Sequence, residues 1–312
     1  GEWEAALKVA RPKVWVTAKY EAWPDVWAAC AKLDIPIAIV GAKPRSAFRW
    51  AEVISRKMVG KIPKVCAIAF DEEDYRAFQD ASWCARAELG MDPRWDRVRE
   101  RAGRVHSRAQ FIWALVQSRG QGPYGVLAQV WPEDMQVWKG CLAHLPGKLV
   151  VFPHTLNPKV IEEIEKGLQA EGWKVRRTAG MNDLPEEVPH AAREAWLVNE
   201  IGFLAEFYSK ANWVYVGGGF GKGIHSTLEP ATYGLPIAVG PARASKFPEV
   251  ELLKKSGQLT LVSGNPQLRD WLRSRPWEAA TPEKRVSWQS ALPAAGAPTV
   301  RIREILADWI RK

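Results

Sequence analysis

At 312 residues the chain exceeds what one hydrophobic core usually organises, so two domains are expected, and 47% hydrophobic with 25% charged residues is the composition of an ordinary globular protein. Four cysteines (Cys30, Cys66, Cys84, Cys141) without C-x-x-C spacing, five histidines without an H-x-x-x-H pair and the lack of any Asp-x-Asp argue against zinc, a disulfide framework and a metal held on a diphosphate. A net charge of +9 points to an anionic partner, and seventeen tryptophans, many beside Arg or Lys, suit a lipid headgroup boundary as well as a core.

The first predicted element is an amphipathic helix over residues 2–10, with Trp3, Ala6, Leu7 and Ala10 on one side. Lys13 to Ala18 reads as a buried strand, and Lys19-Tyr-Glu-Ala-Trp-Pro24 follows at its carboxyl end, where open α/β sheets place ligands. A helix over 25–33 and a strand over 35–40 complete a βαβ rhythm, hence a parallel sheet. Gly41 to Lys64 is strongly basic (Lys43, Arg45, Arg49, Arg56, Lys57, Lys61, Lys64), with Phe48, Trp50, Val53, Ile54, Met58 and Val59 interleaved. Such a run is a solvated helix face, a surface for anionic lipid or a phosphorylated glycolipid, or a nucleic-acid site. Nucleic acid is not expected, because no RNA-recognition signature, helix-turn-helix or zinc finger accompanies it. A strand over 65–70 and an acid-capped helix over 71–79 follow, then Leu89 to Val98, a turn across which Arg94 and Asp96 can pair. Residues 106–123, rich in Arg, Ser, Gln and Gly, read as a linker between a first domain (1–105) and a second (124–297).

The second domain opens with a strand running into a turn, Tyr124 to Asp134. A strand over 148–154 and a helix over 158–171 with Ile161, Ile164 and Leu168 inward come next. Trp196 to Asn199 and Ile201 to Tyr208 lead to Trp213-Val-Tyr-Val216, a short buried strand that ends in Gly217, Gly218, Gly219, Gly221 and Gly223. Five glycines let the backbone approach a ligand, and a helix starting beside them would face the same space, so an anion site, most plausibly for phosphate, is predicted. It is neither a P-loop, since Gly223 and not Ser or Thr follows Lys222, nor the dinucleotide fingerprint, whose last glycine is missing. Ser226-Thr-Leu-Glu229 has the form of a capping box. Pro230, however, suits the first helical position, which would turn the Glu229 carboxylate towards the loop, where a ribose diol explains it better than phosphate does. Cap and nucleotide ligand both stay open on chemistry alone. A strand over 257–262 and a terminal helix over 298–312 close the chain.

The stretch from Val216 to Pro236, Val-Gly-Gly-Gly-Phe-Gly-Lys-Gly-Ile-His-Ser-Thr-Leu-Glu-Pro-Ala-Thr-Tyr-Gly-Leu-Pro, resembles the donor-site motif of the 3-deoxy-D-manno-octulosonic acid (Kdo) transferases of lipopolysaccharide synthesis. Lys-Tyr-Glu-Ala-Trp-Pro24, Leu89 to Val98, Trp131-Pro132 and Pro153-His154 are similar to further motifs of that family. Two departures stand out: Ser226 replaces the usual Asn, and Ala128, Gln129 and Val130 replace Gly-Ser-Thr. The resemblance implies two Rossmann-like domains of the GT-B glycosyltransferase type, acceptor on the first and nucleotide sugar on the second. It implies transfer of Kdo from CMP-Kdo to a lipid A precursor with inversion, without metal or cofactor, at the cytoplasmic side of the bacterial inner membrane. The donor residues it implies are His154, Gly219, Gly221, Lys222, Gly223, Ile224, His225, Ser226 and Glu229. Lys19, Tyr20, Arg45, Arg49 and Arg56 fall on the acceptor or membrane side. No apolar run approaches the ~18 residues of a spanning helix, so any contact with an anionic membrane is expected to be peripheral. The family's catalytic base is a Glu in a Ser-x-Gly-Glu loop early in the first domain, and this sequence does not contain that loop. The opening part of the acceptor domain is therefore expected to be missing, with transfer by this chain alone weak or absent and Glu21 the one weak candidate for the base. The same fold acting on another nucleotide sugar, and a non-catalytic basic protein of a membrane surface or nucleic acid, are the alternatives.

Overall fold

The structure, a computed structural model, describes residues 1–102, 104, 106–120, 122–142, 145–181 and 193–311. It forms two compact units, one of residues 1–96 with 293–312 and one of residues 97–292.

The first unit is built on β1 (Trp15–Ala18), β2 (Ile37–Val40), β3 (Val65–Ala69) and β4 (Arg86–Leu89), all parallel and in that spatial order. The central strands β2 and β3 are apolar at almost every position because both of their faces are covered. On one face Ile37, Ile39, Val65 and Ala67 meet Trp27, Phe48, Phe78 and Trp83, with the Phe48 and Trp83 rings 4.8 Å apart. On the other, Ala38, Cys66 and Ile68 meet Ile305 and Trp309 of the helix Ala297–Arg311. The expected terminal helix over 298–312 is thus part of the first unit; residue 312 lies outside the described residues. Arg94 donates to Asp92 (2.7 Å), while Asp96 accepts from the Gly296 and Thr299 N–H groups (2.7 and 2.9 Å) and so caps the terminal helix.

The second unit carries β5 (Tyr124–Val130), β6 (Lys148–Pro153), β7 (Lys174–Arg177), β8 (Glu194–Leu197), β9 (Trp213–Val216), β10 (Ile237–Val239) and β11 (Leu259–Leu261). All pairings are parallel, in the order β11-β10-β9-β5-β6-β8-β7. The chain leaves β5 towards β6 and later returns to β5's other side as β9, so the strand order reverses between β5 and β9. In open α/β sheets ligands bind outside the carboxyl ends at such a point. The expected linker over 106–123 is mostly the helix Ser107–Ser118, whose Ile112, Trp113, Leu115 and Val116 are buried in this unit; residue 121 lies outside the described residues. Most of the tryptophans are core as well. Trp3, Trp23 and Trp50 are the exposed ones, which removes the composition-level case for a broad aromatic belt.

Candidate functional site

β9 ends as expected in the glycine loop, and the loop lies against the carboxyl ends of β5 and β10. The Gly217 N–H donates to the Ala128 carbonyl (2.8 Å), and Ala242, just past β10, donates to the Gly219 carbonyl (2.9 Å). At Gly219 a Cβ would lie 2.4 Å from the Gly240 Cα, so only glycine lets the two backbones meet. Gly218 (φ +87°) takes the left-handed turn. Beneath the loop sits a fully buried carboxylate, Asp134, on the helix Pro132–Trp138. It accepts from the Trp131 N–H (2.8 Å), the Gly218 N–H (2.9 Å) and the Tyr215 hydroxyl (2.7 Å), joining the ends of β5 and β9. Burial pushes its carboxyl up, against these three donors, which favour the charged form.

Above it four side chains form a column. The Lys222 ammonium lies 4.1 Å from the centre of the Trp131 ring, Trp131 stacks on His154 (4.4 Å), and His154 stacks on His225 (4.3 Å). Burial, then the neighbouring His154, push the His225 imidazole down to about 4, so it is neutral at pH 7, and its Nε2 is buried without a partner among the described residues. His154 is also pushed down, by burial and by the Lys222 charge. The loop's N–H groups divide into two sets. Those of Gly221, Gly223 and Ile224 already donate to carbonyls. Those of Gly219, Phe220, Lys222, His225 and Ser226 have no acceptor among the described residues and are the ones an anion could take. Of the residues predicted for the donor phosphate, Gly221, Gly223 and Ile224 therefore shape the loop.

The next helix, Leu228–Thr232, begins five residues past Gly223, so the expected capping box does not form. Ser226 Oγ instead accepts from the Leu228 N–H (3.4 Å). Pro230 is the third helical residue, not the first, and Glu229 is the second. The Glu229 carboxylate is 26% exposed, takes no hydrogen bond among the described residues and faces Arg101 at 3.7 Å. Burial pushes it up and Arg101 pulls it down.

In the first unit, Lys19 follows β1 in a left-handed conformation (φ +58°), with Arg45 over the Tyr20 ring at 5.9 Å. Glu21 is exposed and accepts from Trp23 Nε1 (2.8 Å). Lys43 is held by Asp71 and Asp74, and Arg56 by Glu52 (3.2 Å), whereas Arg45 and Arg49 are exposed with no ion pair among the described residues. Trp131, Asp134 and Arg101 were not predicted. Trp131 and Asp134 had a usable signal, a strand followed by Pro and then Asp at the third helical position. Arg101 had none, since only the fold brings it to Glu229.

The family described as 3-deoxy-D-manno-octulosonic-acid transferase matches residues 2–95. A 3-deoxy-D-manno-octulosonic acid transferase of Chlamydophila psittaci is 31% identical over 134 residues, covering 42% of this chain and 30% of that protein. The UDP-GlcNAc 2-epimerase of Methanocaldococcus jannaschii superposes with a TM-score of 0.60 at 14% identity, covering 98% of this chain and 80% of that one. An α,α-trehalose-phosphate synthase (UDP-forming) of Burkholderia xenovorans does so with a TM-score of 0.52 at 13% identity, covering 99% and 75%. Two parallel α/β units with a glycine loop at the strand reversal define the GT-B class of glycosyltransferase folds. Within that class, it is the Kdo transferase family to which residues 2–95 and the 134-residue match are similar. The chain spans about a third of the length of the curated relatives it matches.

Proposed function

We propose that the second unit binds the nucleotide of CMP-Kdo, and that the chain serves inverting, metal-independent transfer of Kdo to a lipid A precursor. One observation carries this reading: the end of the sheet where strand order reverses offers open N–H donors and Lys222 for a phosphate, followed at once by a half-buried carboxylate with open oxygens. Donors of that kind suit an anion and an acceptor of that kind suits vicinal hydroxyls, a pairing that a nucleoside monophosphate supplies. Calorimetry in EDTA is expected to show CMP binding more tightly than UDP, with Glu229→Ala removing most of the affinity. Equal or tighter UDP binding returns the chain to a GT-B enzyme for another nucleotide sugar.

On the acceptor side the proposal uses Lys19, Tyr20 and the outward face of the helix Ser46–Val59. That face carries Arg49 and Arg56 with Trp50 (64% exposed), Val53 and Met58, and Arg45 precedes it. No helix among the described residues is long and apolar enough to cross a membrane. The face suits peripheral contact with the anionic cytoplasmic surface of the inner membrane, each basic residue contributing ~1 kcal/mol near such a surface. Vesicles with acidic headgroups are expected to retain the protein at low salt and release it as salt rises. Retention unchanged by replacing Arg45, Arg49 and Arg56 together reduces the face to a solvated one. With Asp71 and Asp74 engaged by Lys43, Glu21 is the carboxylate open near the carboxyl end of β1, and it is the candidate to accept the acceptor's proton.

A further inference from the structure

A carboxylate that is to accept two hydroxyl hydrogen bonds must be charged and must keep its oxygens unoccupied. Glu229 stands where the first condition is hard to meet, because burial favours its protonated form. The groups facing it come from three further places in the second unit. Glu206, on the helix Leu204–Tyr208, adds a like charge. The Tyr208 and Tyr233 hydroxyls are pushed up by burial and stay neutral. Arg101, on the helix Arg94–Ala102, is the cation of the group.

The placement of Arg101 meets both conditions. One of its terminal nitrogens donates to the Gly202 carbonyl (3.0 Å), which fixes the guanidinium independently of Glu229. The other lies 3.7 Å from Glu229 Oε1, close enough to act as a counter-charge and too far to occupy a lone pair as a hydrogen bond.

We propose that Arg101 is a positioning residue of the nucleotide site, whose guanidinium holds Glu229 ionised with both oxygens free for the vicinal hydroxyls of a ribose. This rests on the ribose reading of Glu229 given above, and the test separates the two. CMP affinity is measured by calorimetry from pH 5 to pH 8 for the parent chain, Glu229→Gln, Arg101→Gln and Arg101→Lys, with 2′-deoxy-CMP in parallel. In the parent, affinity falls on the acid side as Glu229 takes a proton, and that limb is identified as the one Glu229→Gln abolishes. An opposite charge at this range is worth about one pKa unit or more. Arg101→Gln is therefore expected to move the limb up by about one pH unit, for about a tenfold loss of CMP affinity on the limb, and to affect 2′-deoxy-CMP less. Arg101→Lys restores the parent limb. A purely structural role lowers affinity equally at every pH and overturns the proposal. So does an Arg101→Gln limb that stays in place while Glu229→Gln weakens CMP, an outcome that leaves the ribose reading standing. CMP binding that is undetectable, or indifferent to Glu229→Gln, overturns both.

Discussion

Asp134 shows how much one side chain decides at the residue scale. Among the described residues its carboxylate is the one acceptor for the Trp131 and Gly218 N–H groups and for the Tyr215 hydroxyl, all gathered at a fully buried side chain. A buried donor left without an acceptor costs about 1–3 kcal/mol, so Asp134→Ala, which strands three, is expected to lower unfolding stability by on the order of 3 kcal/mol or more. Asp134→Asn keeps one oxygen for the two N–H groups and turns an amide donor towards Tyr215, whose hydroxyl can accept, so its loss is expected to be clearly smaller. Denaturant melts of the two variants check this order; equal losses would mean that charge and not hydrogen bonding holds the loop. The glycines above Asp134 were legible in the sequence because their composition is itself the signal. The local Pro132-to-Asp134 signal could mark Asp134 as a helix-start acceptor, but not its bond to Gly218, which lies 84 residues further along the chain.

At the scale of elements, the glycine loop is a backbone-against-backbone contact at one end and an open turn at the other. Gly219 abuts Gly240, and neither main chain can retreat without breaking the Ala242 to Gly219 hydrogen bond. A Cβ on Gly221 would meet only the flexible Glu133 side chain, at 3.8 Å. Gly219→Ala is therefore expected to displace the loop and abolish CMP binding, while Gly221→Ala leaves fold and binding within about twofold, as calorimetry and thermal melts would show. If Gly221→Ala abolished binding equally, a ligand rather than Gly240 would be what demands glycine there. The central strands β2, β3, β5, β6 and β9 were readable as apolar runs, whereas the short interior β8 and β10 were not assigned. β4 (Arg-Ala-Glu-Leu) and β7 (Lys-Val-Arg-Arg) were missed, because edge strands are half solvated and carry charges that pair sideways. Arg86 meets Asp308 (2.6 Å) and Arg176 meets Glu194 (3.2 Å), contacts that no local pattern announces.

At the scale of the whole molecule, the last helix belongs to the first sheet, which is why the first unit takes its residues from both ends of the chain. The period of Ile302, Ile305 and Trp309 shows that Ala297–Arg311 has an apolar face, but periodicity cannot say which sheet that face covers. Three contacts decide it: Asp96 caps the helix, Arg86 pairs with Asp308, and Ile305 with Trp309 covers Ala38, Cys66 and Ile68. Truncating a buried Trp to Ala typically costs about 3–5 kcal/mol and losing a helix cap about 1 kcal/mol. Trp309→Ala, and to a lesser degree Asp96→Ala, should therefore destabilise the first unit while leaving the second largely intact. Hydrogen exchange resolved along the chain is expected to show faster exchange in β1 to β4 with β5 to β11 unchanged. Equal acceleration in both sheets would mean that the two units unfold as one, and no acceleration in β1 to β4 would mean that the helix contributes little to the sheet it covers.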